Sequence, residues 1–131
     1  MPSTGRPVLV VDDSENNAAM LEIALSDIPE VKVVLASSAS EAWRILSGTG
    51  PSIHAIVTDL NMPRMDGFEL IRRIRADGRL AATPIVVVSA DTDPGTPERI
   101  ARLGISAFFA KPFSPAQVRR KLEQILNGTI D

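Results

Sequence analysis

Five short runs dominated by Val, Ile, Leu, Phe and Ala punctuate the chain, at 8–11, 31–36, 53–58, 84–89 and 107–110. Within them apolar residues follow one another with little alternation, which is the pattern of strands covered on both faces. The stretches between them space their apolar residues three and four apart, as one face of a helix does. In 14–26 that stripe is Ala18, Leu21 and Leu25, with Ser14 placed to cap the helix ahead of Glu15. In 39–48 it is Ala42, Ile45 and Leu46, with Gly48 and Gly50 as stop signals. Residues 67–77 turn Phe68, Ile71 and Ile74 inward and Arg72, Arg73 and Arg75 outward. The last helix, 115–127, aligns Val118, Leu122, Ile125 and Leu126 and is closed by Gly128. The fourth is the weakest, since Asp-Pro-Gly-Thr-Pro at 93–97 leaves it only 97–103, with Thr96 as the expected cap and Ile100 and Leu103 facing in. Strands alternating with helices predict an α/β, doubly wound three-layer sandwich around a five-stranded parallel sheet, because parallel neighbours need crossover connections.

A length of 131 residues without repeat, linker or low-complexity tract predicts a single domain over 1–131, large enough for a true core. The longest apolar runs are about five residues, against the ~20 needed to cross a bilayer. The opening MPSTGRP carries one basic residue and no apolar segment of signal length. A formal charge of −2 offers no field that would gather nucleic acid or an anionic membrane. With no cysteine there is neither a disulfide framework nor thiolate chemistry. The expectation is a cytoplasmic protein without membrane or direct nucleic-acid contact.

Candidate chemistry sits at the ends of the strands. Asp12 and Asp13 follow the first, Asp59 the third, Ser89 and Ala90 end the fourth, and Lys111 follows the fifth. In an open parallel sheet the carboxyl ends line one edge, where ligands bind. Adjacent carboxylates repel, and a hard cation with oxygen ligands is their natural partner. Alone, the pair reads as a solvated turn with Asp13 or Ser14 capping the next helix; its place after the first strand of a βαβ series favours the cation. A carboxylate such as Asp59 can act as a nucleophile and form an aspartyl phosphate. Lys111 is a compact charge suited to a phosphoryl oxygen, and Lys111–Pro112 is a bond open to cis geometry. Ser89 offers a hydroxyl to the same group. Three carboxylates against one ammonium leave the pocket near −2, so phosphate entry calls for Mg²⁺. Pro63 and Gly67 shape the turn behind Asp59, while Met62 and Met65 read as packing.

In combination these residues resemble the receiver domain of two-component response regulators. The motifs are the acidic pair, Asp-x-Asn-Met-Pro-x-Met-Asp-Gly at 59–67, Ser-Ala at 89–90 and Lys-Pro-Phe at 111–113, and the resemblance covers about 6–127. It implies a flavodoxin-like (βα)5 fold with strand order 2-1-3-4-5, which sets Asp59 beside Asp12 and Asp13. It implies that Asp59 takes a phosphoryl group from a sensor histidine kinase, a phosphotransfer protein or a small phosphodonor. Asp13, Asp59 and the backbone carbonyl of Asn61 would hold Mg²⁺, with Asp12 acting mainly through water. Ser89 and Lys111 would bind phosphoryl oxygens. Phe108, three positions before the lysine, would turn inward with Ser89 and reshape the face formed by helix 4, strand 5 and helix 5. Asn61 and Asp91 lie where the family tunes dephosphorylation. Such a domain phosphorylates and dephosphorylates itself without turning over an external substrate.

The output would be a downstream protein target or an output domain lying outside this sequence, with the chain a monomer or a phosphorylation-dependent dimer. Two other readings compete. A Mg²⁺-dependent phosphatase of the haloacid dehalogenase type shares the aspartyl nucleophile but resembles Asp-x-Asp after its first strand, where this chain has Asp-Asp-Ser. A phosphate-independent receiver-like module would have no need of the intact Asp12, Asp13, Asp59, Ser89 and Lys111. A dinucleotide site is disfavoured, since no Gly-x-Gly-x-x-Gly follows the first strand. His54, Trp43, Phe109 and the arginines at 72, 73, 75, 99 and 102 take structural or solvent-facing readings.

Overall fold

A computed structural model describes residues 5–50, 52–91 and 93–128. Ten elements follow one another: β1 (Arg6–Val11), α1 (Glu15–Ser26), β2 (Val31–Ala36), α2 (Ala39–Ser47), β3 (Ala55–Thr58), α3 (Gly67–Ala76), β4 (Ile85–Ser89), α4 (Thr96–Ala101), β5 (Ala107–Ala110) and α5 (Pro115–Asn127). All pairings are parallel, and the strand order is β2-β1-β3-β4-β5. This is the order that the resemblance implies.

The unbroken apolar runs are explained by the two faces they serve. Leu9, Val11, Ile56, Ile85 and Val87 pack under α2, α3 and α4 with Leu46, Ile71, Ile74 and Ile100. Val8, Val10, Val57, Val86 and Val88 pack under α1 and α5 with Leu21, Leu25, Val118 and Leu122. Alternate residues of one strand thus enter opposite layers, and both layers are apolar. β5 repeats this with one aromatic on each side: Phe108 joins the first layer and Phe109 the second.

Register decides which strand ends meet. Val11 pairs with Thr58, so Asp12 and Asp59 leave neighbouring strands at the same level. Ser89 pairs with Ala110, which puts Lys111 one step beyond the hydroxyl.

Strand ends and three side chains depart from the sequence reading. β1 starts at Arg6, before the apolar run, because the Arg6 backbone N–H bonds the Glu30 carbonyl and Nη1 donates to the Leu126 carbonyl at 3.0 Å. β3 and β4 start later than the runs at 53–58 and 84–89, at Ala55 and Ile85. Thr96 is not the cap of α4; it is the first helical residue, behind Gly95, and its hydroxyl donates to Asp91 Oδ1 at 2.9 Å instead. Arg75 does not face solvent but is half-buried and bonded to four carbonyls. Arg99 stacks its guanidinium 3.9 Å above the Phe68 ring.

Candidate functional site

The carboxyl edge of the sheet collects the charged side chains. Asp12 follows β1 and is nearly buried; its Oδ1 accepts from the Ser14 N–H at 2.8 Å, a local Asx turn that aims the carboxylate into the edge. Ser14 in turn caps α1 by accepting from the Asn17 N–H at 3.3 Å. Asp13 is exposed. Asp59 follows β3, buried apart from 6% of its surface. Its Oδ1 accepts from the N–H groups of Leu60 at 2.6 Å and Asn61 at 3.2 Å, while Oδ2 accepts from Lys111 Nζ at 3.0 Å. The same ammonium donates to Asp12 Oδ2 at 3.0 Å.

Gly67 makes this edge possible. A Cβ at that position would lie 2.1 Å from the Asp59 carbonyl oxygen and 2.7 Å from Leu60 Cα. The loop after Asp59 folds back so tightly that only hydrogen fits, and the Gly67 N–H closes it on the Leu60 carbonyl at 2.9 Å. Asp66 then caps α3 by accepting from Glu69 N–H at 3.0 Å. Arg64 takes positive φ inside the loop, and Pro63 is exposed. Met62 is buried in the core and Met65 packs against it, the packing role read from the sequence.

The electrostatics follow from burial. Loss of water pushes the Asp12 carboxyl above its ordinary value, against the opposing pull of the Ser14 N–H and the Lys111 ammonium. Burial alone would lower Lys111, but its hydrogen bonds to Asp59 and Asp12 outweigh that and hold it above the usual lysine range. One carboxylate oxygen from each of Asp12, Asp13 and Asp59 lies within 4.8 Å of the others. With three carboxylates and one ammonium in the cluster, the residues fit Mg²⁺: the donors are hard oxygens, and no imidazole or thiolate belongs to the group.

Ser89 is fully buried. Its hydroxyl is turned to the Asp91 N–H at 3.1 Å, and its carbonyl accepts from the Lys111 N–H at 2.9 Å. Serine and lysine are therefore joined through the main chain, while the ammonium is committed to the carboxylates. Ala90 is exposed beside them, the Lys111–Pro112 bond is cis, and Phe108 is partly buried under the α4 side of the sheet. Chemically, the edge presents one carboxylate whose Oδ1 is fixed by two backbone donors, with Oδ2 facing the Lys111 ammonium.

Sequence reasoning named Asp12, Asp13, Asp59, Ser89 and Lys111 but missed how Thr96, Asp91 and Ser89 form a hydrogen-bonded chain. Asp91 to Thr96 spans five residues across a Pro-Gly loop, a separation with no local signature. The Asx turn on Asp12 was legible in Asp-Asp-Ser, since an aspartate often bonds the N–H two residues on.

The sequence matches the response regulator receiver domain family over residues 8–123. Chemotaxis protein CheY1 of Helicobacter pylori is 36% identical over 126 residues, covering 95% of this chain and 98% of that protein. The crystal structure of a response regulator receiver protein from Pseudomonas putida superposes with a TM-score of 0.83 at 34% identity, covering 94% of this chain and 99% of that one. Chemotaxis response regulator CheY4 of Vibrio cholerae superposes with a TM-score of 0.80 at 29% identity, covering 94% and 100%.

Proposed function

The chain belongs to the response regulator receiver domain family, and from that premise we propose that it is a phospho-accepting signalling switch in which Asp59 takes the phosphoryl group. The observation that carries this reading is the Lys111 ammonium lying 3.0 Å from both Asp12 and Asp59 at the carboxyl edge of the sheet. Asp59 Oδ1 is occupied by two backbone donors, so Oδ2 is the attacking oxygen. It forms the bond to phosphorus as the bond to the donor's leaving atom breaks, the imidazole nitrogen of a phosphohistidine or the carboxylate oxygen of an acyl phosphate, and the electron pair goes to that atom. The donor is a histidine kinase, a phosphotransfer protein or a small phosphodonor, and the domain supplies its own catalysis for both attachment and hydrolysis.

Asp13, Asp59 and the Asn61 carbonyl are assigned to hold Mg²⁺, with Asp12 acting through water; bound there, the ion would offset the repulsion between the carboxylates and the incoming phosphoryl oxygens. Lys111 leaves the carboxylates for a phosphoryl oxygen. The Ser89 hydroxyl turns from the Asp91 N–H to another, and the ring of Phe108 follows into the space vacated. Pro63, Gly67 and Pro112 keep the loops that carry these groups in place. The changed surface is that of α4, β5 and α5, which a downstream protein or an output domain reads. Among the described residues no helix is long and apolar enough to cross a membrane.

The reading is tested by intact-protein mass spectrometry after incubation with acetyl phosphate, with and without Mg²⁺. One phosphoryl adduct is expected on the parent with metal, and none on Asp59→Asn. An adduct of equal stoichiometry on Asp59→Asn would place the nucleophile elsewhere.

A further inference from the structure

Helix α4 is fastened at its two ends by different means. At its C-terminal end, Arg75 reaches up from the last turn of α3. Nε donates to the Leu103 carbonyl at 2.8 Å and Nη2 to the Gly104 carbonyl at 3.0 Å, just beyond α4. Nη1 donates to the carbonyls of Ala81 at 2.9 Å and Thr83 at 2.8 Å, in the connection between α3 and β4. Four carbonyls on two loops are thus gathered on one planar, permanently charged fork, a geometry that lysine cannot reproduce. Gly104, at φ +72°, turns the chain directly over the guanidinium.

The N-terminal end has no side-chain cap. It is tied instead through the almost fully buried Thr96, whose hydroxyl donates to Asp91 Oδ1 at 2.9 Å. Asp91 in turn donates its N–H to the Ser89 hydroxyl at 3.1 Å. That hydroxyl is the group assigned above to the phosphoryl response, so this end alone is wired to the site. Nothing in the Arg75 clamp touches the carboxyl edge.

The geometry points to α4 being a lever, with Arg75 as its fixed fulcrum and the Thr96–Asp91–Ser89 chain as its release. When Ser89 turns to a phosphoryl oxygen, the Asp91 N–H loses its acceptor and the loop carrying Thr96 is freed, while Leu103 and Gly104 stay on Arg75. The output face then tilts about its lower end rather than sliding or unwinding. Arg75 is a positioning residue, bonded to the segments that lead into β4 and β5 rather than to those that leave them. This inference rests on the switch reading for the role of Ser89; the two unequal fastenings stand without it.

Amide hydrogen exchange followed by NMR separates these points, on the parent, Thr96→Val and Arg75→Lys, each free and with beryllofluoride plus Mg²⁺. Thr96→Val is nearly isosteric and tests the release even if Arg75→Lys folds poorly. In the free protein, Thr96→Val is expected to speed exchange at Asp91 and Arg99 roughly tenfold and leave Leu103 and Gly104 unchanged, as loss of one hydrogen bond does locally. Arg75→Lys is expected to give the reverse. With beryllofluoride, of these four amides the parent changes at Asp91 and Arg99 only, and in Arg75→Lys the change spreads to Leu103 and Gly104. Equal loosening of both ends by either variant, or a beryllofluoride change reaching Gly104 in the parent, overturns the lever. The expected free-state pattern with no beryllofluoride response at any amide overturns the switch reading, and the release with it.

Discussion

Lys111 holds two buried carboxylates at once, and its energetics set the pH behaviour of the site. A lysine whose pKa is raised on folding binds its proton more tightly in the folded chain. Its contribution is therefore complete below the ordinary value of 10.5 and is lost as pH rises through the raised one. Urea midpoints of the parent and Lys111→Met should differ by a constant amount from pH 7 to about 10, and the gap should close above 10.5. A gap that widens there would reverse the sign. Asp12 carries the same sign in a lower window: burial raises its pKa as well, so the folded chain bears no cost for it below the ordinary 3.8 and takes on that cost as pH rises through the raised value. Gly67 is a second single-residue constraint. Gly67→Ala forces a methyl onto the backbone of Asp59 and Leu60, which should cost at least about 2 kcal/mol in urea denaturation and displace the Asp59 carboxylate. The charged residues at the edge were legible because each follows an apolar run directly. Arg75 was not, since the run Arg72, Arg73, Ile74, Arg75 looks the same locally whether the third arginine is solvated or clamped.

Among the elements, α5 and α4 form the sharpest contrast. α5 has 13 residues, an N-cap in which Ser114 accepts from the Gln117 N–H, Pro115 in its first turn and Gly128 in the left-handed conformation at its end. Its apolar stripe buries Val118 and Leu122 completely. Leu122→Ala should cost about 2–5 kcal/mol in thermal or urea unfolding, the range for emptying a core site; a loss under about 1 kcal/mol would mean that α5 is not part of the cooperative unit. α4 has six residues and no side-chain cap. Sequence periodicity found it and predicted its shortness from the Pro-Gly loop; of its two expected inward residues Ile100 is buried in the helix, while Leu103 packs on the core just past the helix end at Ala101. It misplaced the role of Thr96, because a threonine ahead of a helical proline looks like a cap unless the partner across the loop is known. The strand starts shifted by one or two residues for a similar reason: they depend on neighbouring strands, which local apolarity does not report.

For the protein taken as one object, the carboxyl edge is an electrostatic liability that a cation should relieve. Any ligand that binds the folded chain alone stabilises it by mass action, by about 2.7 kcal/mol at a hundred times its dissociation constant. Mg²⁺ should accordingly raise the thermal midpoint of the parent, and Asp13→Asn should lose most of that increment while unfolding no earlier without metal, because it removes one charge from a repelling cluster. An equal Mg²⁺ increment in Asp13→Asn would take this side chain out of the metal site. The alternation of apolar runs and helical stripes determined the layered α/β class from the sequence alone, since covered parallel strands and amphipathic helices have distinct periods. The same sequence marked which residues gather at the carboxyl edge, because polar groups placed right after buried strands stand out against them. What tertiary structure decided was contact: that Lys111 bridges Asp12 and Asp59, that the Ser89 hydroxyl serves Asp91, and that Arg75 binds two loops. These depend on register between strands and on side-chain direction across connections, and neither leaves a periodic trace along the chain.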